Sequence, residues 1–243
     1  MRHGLSLLVA FLWVGLSSSC SHVQTASGLA GKIKPEELLD QVCFIGKDVQ
    51  EVKGVVLMKI KSREASGQLS GDVHAKAPSS VELEILQPMG GVWATIQVQG
   101  TDYTISVAGK PEQTRKGRYV WAGIPLRFAT ELFLGRIPCA LGAAQGGRAA
   151  HVAINLDNEL VVDVQGEHGP EKFIYRFRED PSAARLVFWP ESLRWVSAPG
   201  SRSEVSVDFK FDEPEKNTRS PLRWEAHSVG GEIKIHWRSR EHS

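Results

Sequence analysis

The chain has 243 residues, with 29 basic and 28 acidic side chains, a net charge of +1 and three cysteines. Removing the first nineteen residues would take away only Arg2 and leave 28 charges of each sign, so neither a nucleic acid nor an anionic membrane is drawn by a strong overall field.

Leu5 to Leu16 is an apolar run of the length of a signal-peptide core, preceded by Arg2 and closed by Ser17-Ser18-Ser19-Cys20. It is too short to span a bilayer. Residues 1–19 therefore read as a signal peptide. Small residues before a cysteine resemble the lipobox of bacterial lipoproteins and make Cys20 the candidate lipidation site. Ser17 stands where a lipobox usually has Leu, so ordinary signal cleavage is the alternative. Residues 20–34 carry no periodicity and read as the lipidated cysteine with a flexible tether. Pro35 opens a short helix with Glu36 and Glu37 at its positive end and Gly46 as its stop.

From Val52 onward the hydrophobic period is two. Val81, Leu83 and Ile85 form one strand face, Val92, Ala94, Ile96 and Val98 the next, and Tyr103, Ile105 and Val107 a third. Between the first two, Pro88-Met89-Gly90-Gly91 is a turn with Met89 at its apex, where a polar residue is usual. An apolar apex suggests contact with a lipid. The ordinary alternatives are a stray surface methionine or one folded back into the core. Lys110 to Gly117 reads as a charged loop. Ile124-Pro125 begins a second helical segment over 125–135, in which Leu126, Phe128, Leu132, Phe133 and Leu134 leave few polar faces. After a small-residue loop over 140–150, strands resume to the end of the chain. Phe173, Tyr175 and Phe177 share one face, as do Val207, Phe209 and Phe211.

No composition break interrupts 35–243, which reads as a single mainly β domain with a few helices. A sheet of ten or more strands must curl or close. Its concave apolar face then needs a second layer or a ligand, and the two helical segments are the available plug or lid. The candidate cavity lining is Val81, Leu83, Ile85, Val92, Ala94, Ile96, Val98, Tyr103, Ile105, Leu126, Phe133, Phe173, Tyr175, Phe177 and Phe209. The competing arrangement fills the concavity with the protein's own Phe173, Phe177, Phe209 and Trp237. A register error of one residue would invert any face.

No nucleophile elbow, HExxH, P-loop or dinucleotide fingerprint is present, so no catalytic residue and no cofactor is assigned and the chain does not read as an enzyme. Glu167-His168 lies in a Gly166–Gly169 turn, and His227 with His236 lacks ligand spacing, so no metal site is assigned either. The basic clusters Arg115-Lys116-Gly117-Arg118 and His236 to His242 read as solvated faces. Cys43 and Cys139 are either a disulfide, which an oxidising periplasm permits, or two separately buried thiols.

The run ELEILQPMGGVWATIQVQGTDYTI followed by GIPLRFATELFLGRIP resembles the LolB family of outer-membrane lipoprotein-localisation proteins, within the LolA/LolB-like superfamily. Phe133 stands where that family's helix often has Trp, and Cys43 and Cys139 are additional. The resemblance implies a curved antiparallel half-barrel whose helices cover an apolar cavity for acyl chains. It also implies a lipid-anchored monomer on the periplasmic face of the outer membrane, with no nucleic-acid partner. Such a protein takes acylated lipoproteins from a LolA-like periplasmic carrier and inserts them among outer-membrane lipids, and Met89 falls at the family's membrane-insertion tip. An envelope lipoprotein that binds free lipid or scaffolds another envelope protein is the alternative.

Overall fold

The computed structural model describes residues 28–62, 66–121, 123–140, 149–166, 169–179 and 188–243. The signal peptide, Cys20 and the Glu167-His168 turn lie outside them. A 3-10 turn (Leu29–Gly31) precedes α1 (Pro35–Phe44). Six strands follow: β1 (Glu51–Ser62), β2 (Ser66–Lys76), β3 (Ser80–Leu86), β4 (Val92–Gln99), β5 (Asp102–Val107) and β6 (Lys110–Arg118). A strap made of β7 (Val120–Trp121) and β8 (Ile124–Pro125) leads into α2 (Arg127–Phe133). The chain closes with β9 (Ala149–Ile154), β10 (Leu160–Gly166), β11 (Gly169–Glu179), β12 (Phe188–Ser197), β13 (Val205–Pro214), β14 (Pro221–Ser228) and β15 (Gly231–His242).

Among the described residues, thirteen strands form one antiparallel sheet in the order β6-β5-β4-β3-β2-β1-β15-β14-β13-β12-β11-β10-β9. The first meander runs from the centre out to β6. The chain then crosses the sheet through the strap and α2 and meanders back from β9. The first and last strands meet in the middle, where Val52 lies opposite His242 and Ser62 opposite Gly231. The sheet curves without closing, as a half-barrel with β6 and β9 as its free edges. Strict alternation puts Val81, Leu83 and Ile85 of β3 and Ala94, Ile96 and Val98 of β4 on the buried inner face.

Three expectations need correction. Lys110 to Gly117, expected as a loop, is β6, and nearly every residue in it is exposed. Its pattern lacks apolar alternation because an edge strand is protected by charges and proline, here Lys110, Pro111, Glu112, Arg115 and Lys116. The tether is shorter than expected. Leu29 is buried, its N–H donates to Asn158 Oδ1 at 3.1 Å, and Lys32 pairs with Glu179, so residues 28–34 belong to the folded body. The second helix spans only Arg127–Phe133, because Ile124-Pro125 is taken up in the strap.

Cys43 of α1 and Cys139 form a disulfide, with their Cα atoms 5.2 Å apart. Arg136 reinforces the same junction by donating to the carbonyls of Gly46, Lys47 and Val49, the turn that follows α1. Tyr175 Oη donates to Pro138 O at 2.8 Å and accepts from the Ala140 N–H at 3.2 Å. The stretch after α2 is thereby held against both α1 and the sheet.

Candidate functional site

Helix α2 divides the inner face. On the β9–β15 side it acts as a plug. Phe128 meets Phe173, Trp195 and Phe209 edge-on at centroid distances of 6.3, 5.5 and 5.8 Å. Phe133 meets Trp224 and Trp237 in the same manner at 5.6 and 6.3 Å. Edge-to-face geometry lets the positive ring edge face the negative ring face, so these rings interlock. This half of the concavity is filled by the protein itself.

On the β1–β6 side α2 also packs against β2 and β3, but it leaves uncovered the strand ends nearest the β3–β4 turn. An open apolar groove of about 540 Å³ remains, floored by Ile60, Leu69, Ile85, Ala94, Ile96, Ile105 and Val107. Trp121 of the strap and Trp93 wall it, and Glu112 to Arg115 of edge strand β6 form its outer lip. The volume lies within the roughly 300–1,000 Å³ range of ligand pockets. Its lining comes from the end of β1, the start of β2, the end of β3, the start of β4 and the end of β5. These are the strand ends joined by the β1–β2, β3–β4 and β5–β6 connections. The groove therefore opens at the end of the sheet from which the β3–β4 turn projects.

Met89 caps that turn and is 97% exposed. The turn is closed by Gln87 N–H to Gly91 O and Gly90 N–H to Gln87 O, each 3.0 Å. Gly90 and Gly91 hold φ of 92° and 85° with open space around them, a left-handed conformation that glycine adopts without cost. Trp93, 46% exposed, stands four residues further along at the groove wall. Apolar apex, exposed indole and groove mouth share one end of the sheet.

A smaller cavity of about 260 Å³ lies on the other side of the strap, walled by Pro78, Tyr119, Val120 and Pro125. At its base the Arg127 guanidinium donates to Glu171 Oε2 at 2.7 Å, and Trp195 Nε1 donates to the same oxygen at 3.1 Å. Glu171 is a buried carboxylate, and these two donors compensate its desolvation. Glu131, on α2, is less well served. Its Oε2 is sealed from solvent without a hydrogen-bond partner. Burial pushes its pKa up to about 7, against the pull of the Arg136 and Arg127 charges.

The outer face carries polar clefts, including one of about 450 Å³ lined by Lys53, Asp72, His74, Glu82 and Glu84. Glu225, His227 and Glu232 also come together there, with potential ligand atoms within 4.8 Å of one another. Lys234 Nζ already sits 2.8 Å from Glu225 and 2.9 Å from Glu232, so an ammonium group bridges the two carboxylates and offsets one of their charges. Hydrogen bonding to Lys234 holds the Glu232 carboxyl below its usual range. His236 turns instead toward Glu213, 3.6 Å away.

Of the expected lining residues, Ile85, Ala94, Ile96 and Ile105 face the groove. Val81, Leu83, Val98, Leu126, Phe133, Phe173, Tyr175 and Phe209 are buried in the core, while Tyr103 and Phe177 are partly buried against it. Val92 is half-buried at the start of β4 beside a register shift. The aromatic residues do not line a cavity because Phe128 and Phe133 occupy the space in front of them. Ile60, Leu69, Trp93, Val107 and Trp121 line the groove outside the expected lining set, although Val107 was placed on an apolar strand face. Ile60 and Val107 follow from continuing the period-two count, whereas Trp121 had no signal because the strap has no periodicity.

No protein-family model matches the chain, and no curated protein matches it. Among solved structures, the fold is similar to that of a LolA-superfamily protein from Nitrosomonas europaea. The TM-score is 0.53 at 11% identity, over 86% of this chain and 93% of that chain. It is likewise similar to a DUF1329-family protein from Desulfovibrio piger, with TM-score 0.53, 8% identity, and coverage of 87% and 94%. These likenesses establish a LolA-like fold. No helix among the described residues is long and apolar enough to cross a membrane.

Proposed function

We propose that this protein is a lipid-anchored envelope carrier, not an enzyme, which holds acyl chains in the groove beneath Trp121 and delivers them to a membrane through the Met89 turn. The observation that carries this reading is the coincidence of the groove mouth with the exposed apex. A LolA-superfamily neighbour in fold agrees with it, as does the resemblance of the 82–138 run to the LolB family. In this reading residues 1–19 are removed and Cys20 is acylated. The protein works as a monomer at the periplasmic face of the outer membrane, receiving acylated lipoproteins from a LolA-like carrier.

Burying one 16-carbon chain is worth on the order of 12 kcal/mol at about 0.8 kcal/mol per methylene. Release into water is therefore closed to such a carrier. Cargo must pass directly to another apolar site or to a bilayer, and an opening beside an apolar tip provides that route without nucleotide hydrolysis.

Val107→Trp, at a partly buried position of the lining, should fill the groove and abolish binding of a fluorescent fatty-acid analogue while the thermal transition is retained. Met89→Glu should leave that binding intact and block transfer to vesicles. Wild-type binding by Val107→Trp would place the ligand elsewhere, and unchanged transfer by Met89→Glu would remove the tip from the mechanism. One observation favours the narrower reading of a free-lipid binder: the aromatic plug leaves a groove of about 540 Å³ rather than a cavity under the whole sheet. Mass spectrometry of ligand copurified from the envelope separates the two, with acylated protein supporting the first and free phospholipid the second.

A further inference from the structure

We infer that the β14–β15 turn, with Val229 at its apex, is a second bilayer contact, which together with the Met89 turn holds the groove mouth toward the lipid. This deepens the reading above and rests on it, since the Met89 turn sets which end of the sheet meets the membrane.

Strand pairing places Val229 at that end. Gly231, opening β15, lies opposite both Ser228, closing β14, and Ser62, closing β1. Lys61 of β1 lies opposite Ser66, the first residue of β2, and Gly71 of β2 lies opposite Ile85, near the end of β3. The β14–β15 and β3–β4 turns therefore leave the sheet at the same end. The same count carried through β13, β12, β11 and β10 puts the β9–β10 turn, with Leu156 102% exposed, at the opposite end. Four strands, β3, β2, β1 and β15, separate the Met89 and Val229 apices, or roughly 19 Å along the sheet at about 4.8 Å per strand. One contact lets the body pivot on a membrane, whereas two that far apart fix a line across it.

Singly exposed apolar side chains are common, and Val229 differs from them in its setting. It is 103% exposed on a turn held by its own hydrogen bonds. Ser228 Oγ accepts the Gly230 N–H at 3.1 Å and donates to Gly231 O at 3.4 Å. Turns usually carry Gly, Pro, Asn, Asp or Ser, and valine is a strand residue by preference. The order Val229-Gly230-Gly231 also repeats that of Met89-Gly90-Gly91. The turn of the strap rests on this element, since a Cβ on Gly123 would lie 2.0 Å from Ser228 Oγ and 2.9 Å from Gly230 Cα. Through the strap the Val229 turn is joined to Trp121, which walls the groove. A single projecting side chain offers far less than the roughly 800 Å² per partner of a stable protein interface, but a lipid surface accepts apolar side chains one at a time.

The test uses the full mature protein on vesicles of phosphatidylethanolamine with a minority of phosphatidylglycerol. A nitroxide is attached through a ketone-bearing amino acid placed at 229, 89 or 156, which leaves the native cysteines untouched. At 229, as at 89, the label should be several-fold more accessible to bilayer-dissolved oxygen, relative to an aqueous nickel chelate, than at 156. Val229→Asp should slow transfer of a fluorescent fatty-acid analogue to those vesicles several-fold, with analogue binding and melting temperature unchanged, and Val229→Leu should keep the wild-type rate. Lipid at 89 with water at 229 overturns the inference and spares the tip. Water at both positions sinks the Met89 tip and this inference with it. Lipid at 229 with water at 89 supports the Val229 contact and sinks the tip alone. Equal lipid exposure at 229 and 156 overturns the inference, because contact would then not depend on the end of the sheet. Wild-type transfer by Val229→Asp overturns the claim that this contact orients the groove.

Discussion

Met89 in the β3–β4 turn and Glu131 within the plug helix illustrate how solvent decides a residue's role. Met89 is apolar and fully in water, a state that costs little until a bilayer is offered. Glu131 is ionisable with its Oε2 sealed from water and unpartnered, which is costly as soon as it ionises. Its carboxyl titrates near 7 in the folded chain against 4.5 as the ordinary value. The folded state therefore keeps a proton that the unfolded state loses, and stability falls as pH rises from about 4.5 to about 7, by roughly 3 kcal/mol. Above that window both states are ionised and the loss is complete. Glu232, held below its usual range by Lys234, works in the opposite sense and only at lower pH. Glu131→Gln should leave stability at pH 4 near wild type and raise it at pH 8 by up to about 3 kcal/mol. Urea unfolding across that range measures it, and a parallel decline in both proteins would show that Glu131 is solvated.

At the scale of elements, α2 has more influence than its seven residues suggest. It is shorter than an isolated helix could be and remain formed, and its N-terminus has no side-chain cap. What holds it is tertiary: the Phe128 and Phe133 knobs, the Arg127–Glu171 pair, and the covalent junction of Cys139 to α1. Cys43 and Cys139 are 96 positions apart, and closing a loop near that length restricts the unfolded chain by about 4 to 5 kcal/mol in the chain-entropy account. Phe128→Ala should cost about 3–5 kcal/mol, because three facing rings cannot collapse into the space it leaves. Phe128→Leu should cost much less. Chemical denaturation midpoints distinguish them, and equal small losses would mean that the plug is loose. The apolar content of this helix was legible in the sequence. Its place, with the Phe128 and Phe133 rings over β11–β15 and its backbone near β2 and β3, was not, because a helix without a polar face does not say which side meets which partner.

The whole molecule is two meanders zipped through their outermost strands. β1 and β15 are central in the sheet yet lie near opposite ends of the chain, so the seam requires a closure over nearly the full length, a slow step in folding. A chain truncated after Ser228 should lose cooperative unfolding altogether, since β1 and β14 would both become unpaired central edges. A cooperative transition in that variant, followed by circular dichroism in urea, would show that the first meander folds by itself. The seam was hidden in the sequence because pairing between residues near 55 and near 240 leaves no local trace.

The amino-acid sequence alone determined the alternating strands, the turn with an apolar apex, the leader-like amino terminus and the two apolar helical segments, since each depends on neighbours a few positions apart. Only the tertiary structure decided that β6 is an edge strand, that Cys43 reaches Cys139, that residues 28–34 are seated on the body, and that the concavity is solid beside β9–β15 and open beside β3–β5. Period two sorts side chains into two faces, but what stands across from a face is set by distant segments. Whether an inward side chain touches a ring or empty space is a property of that opposite wall.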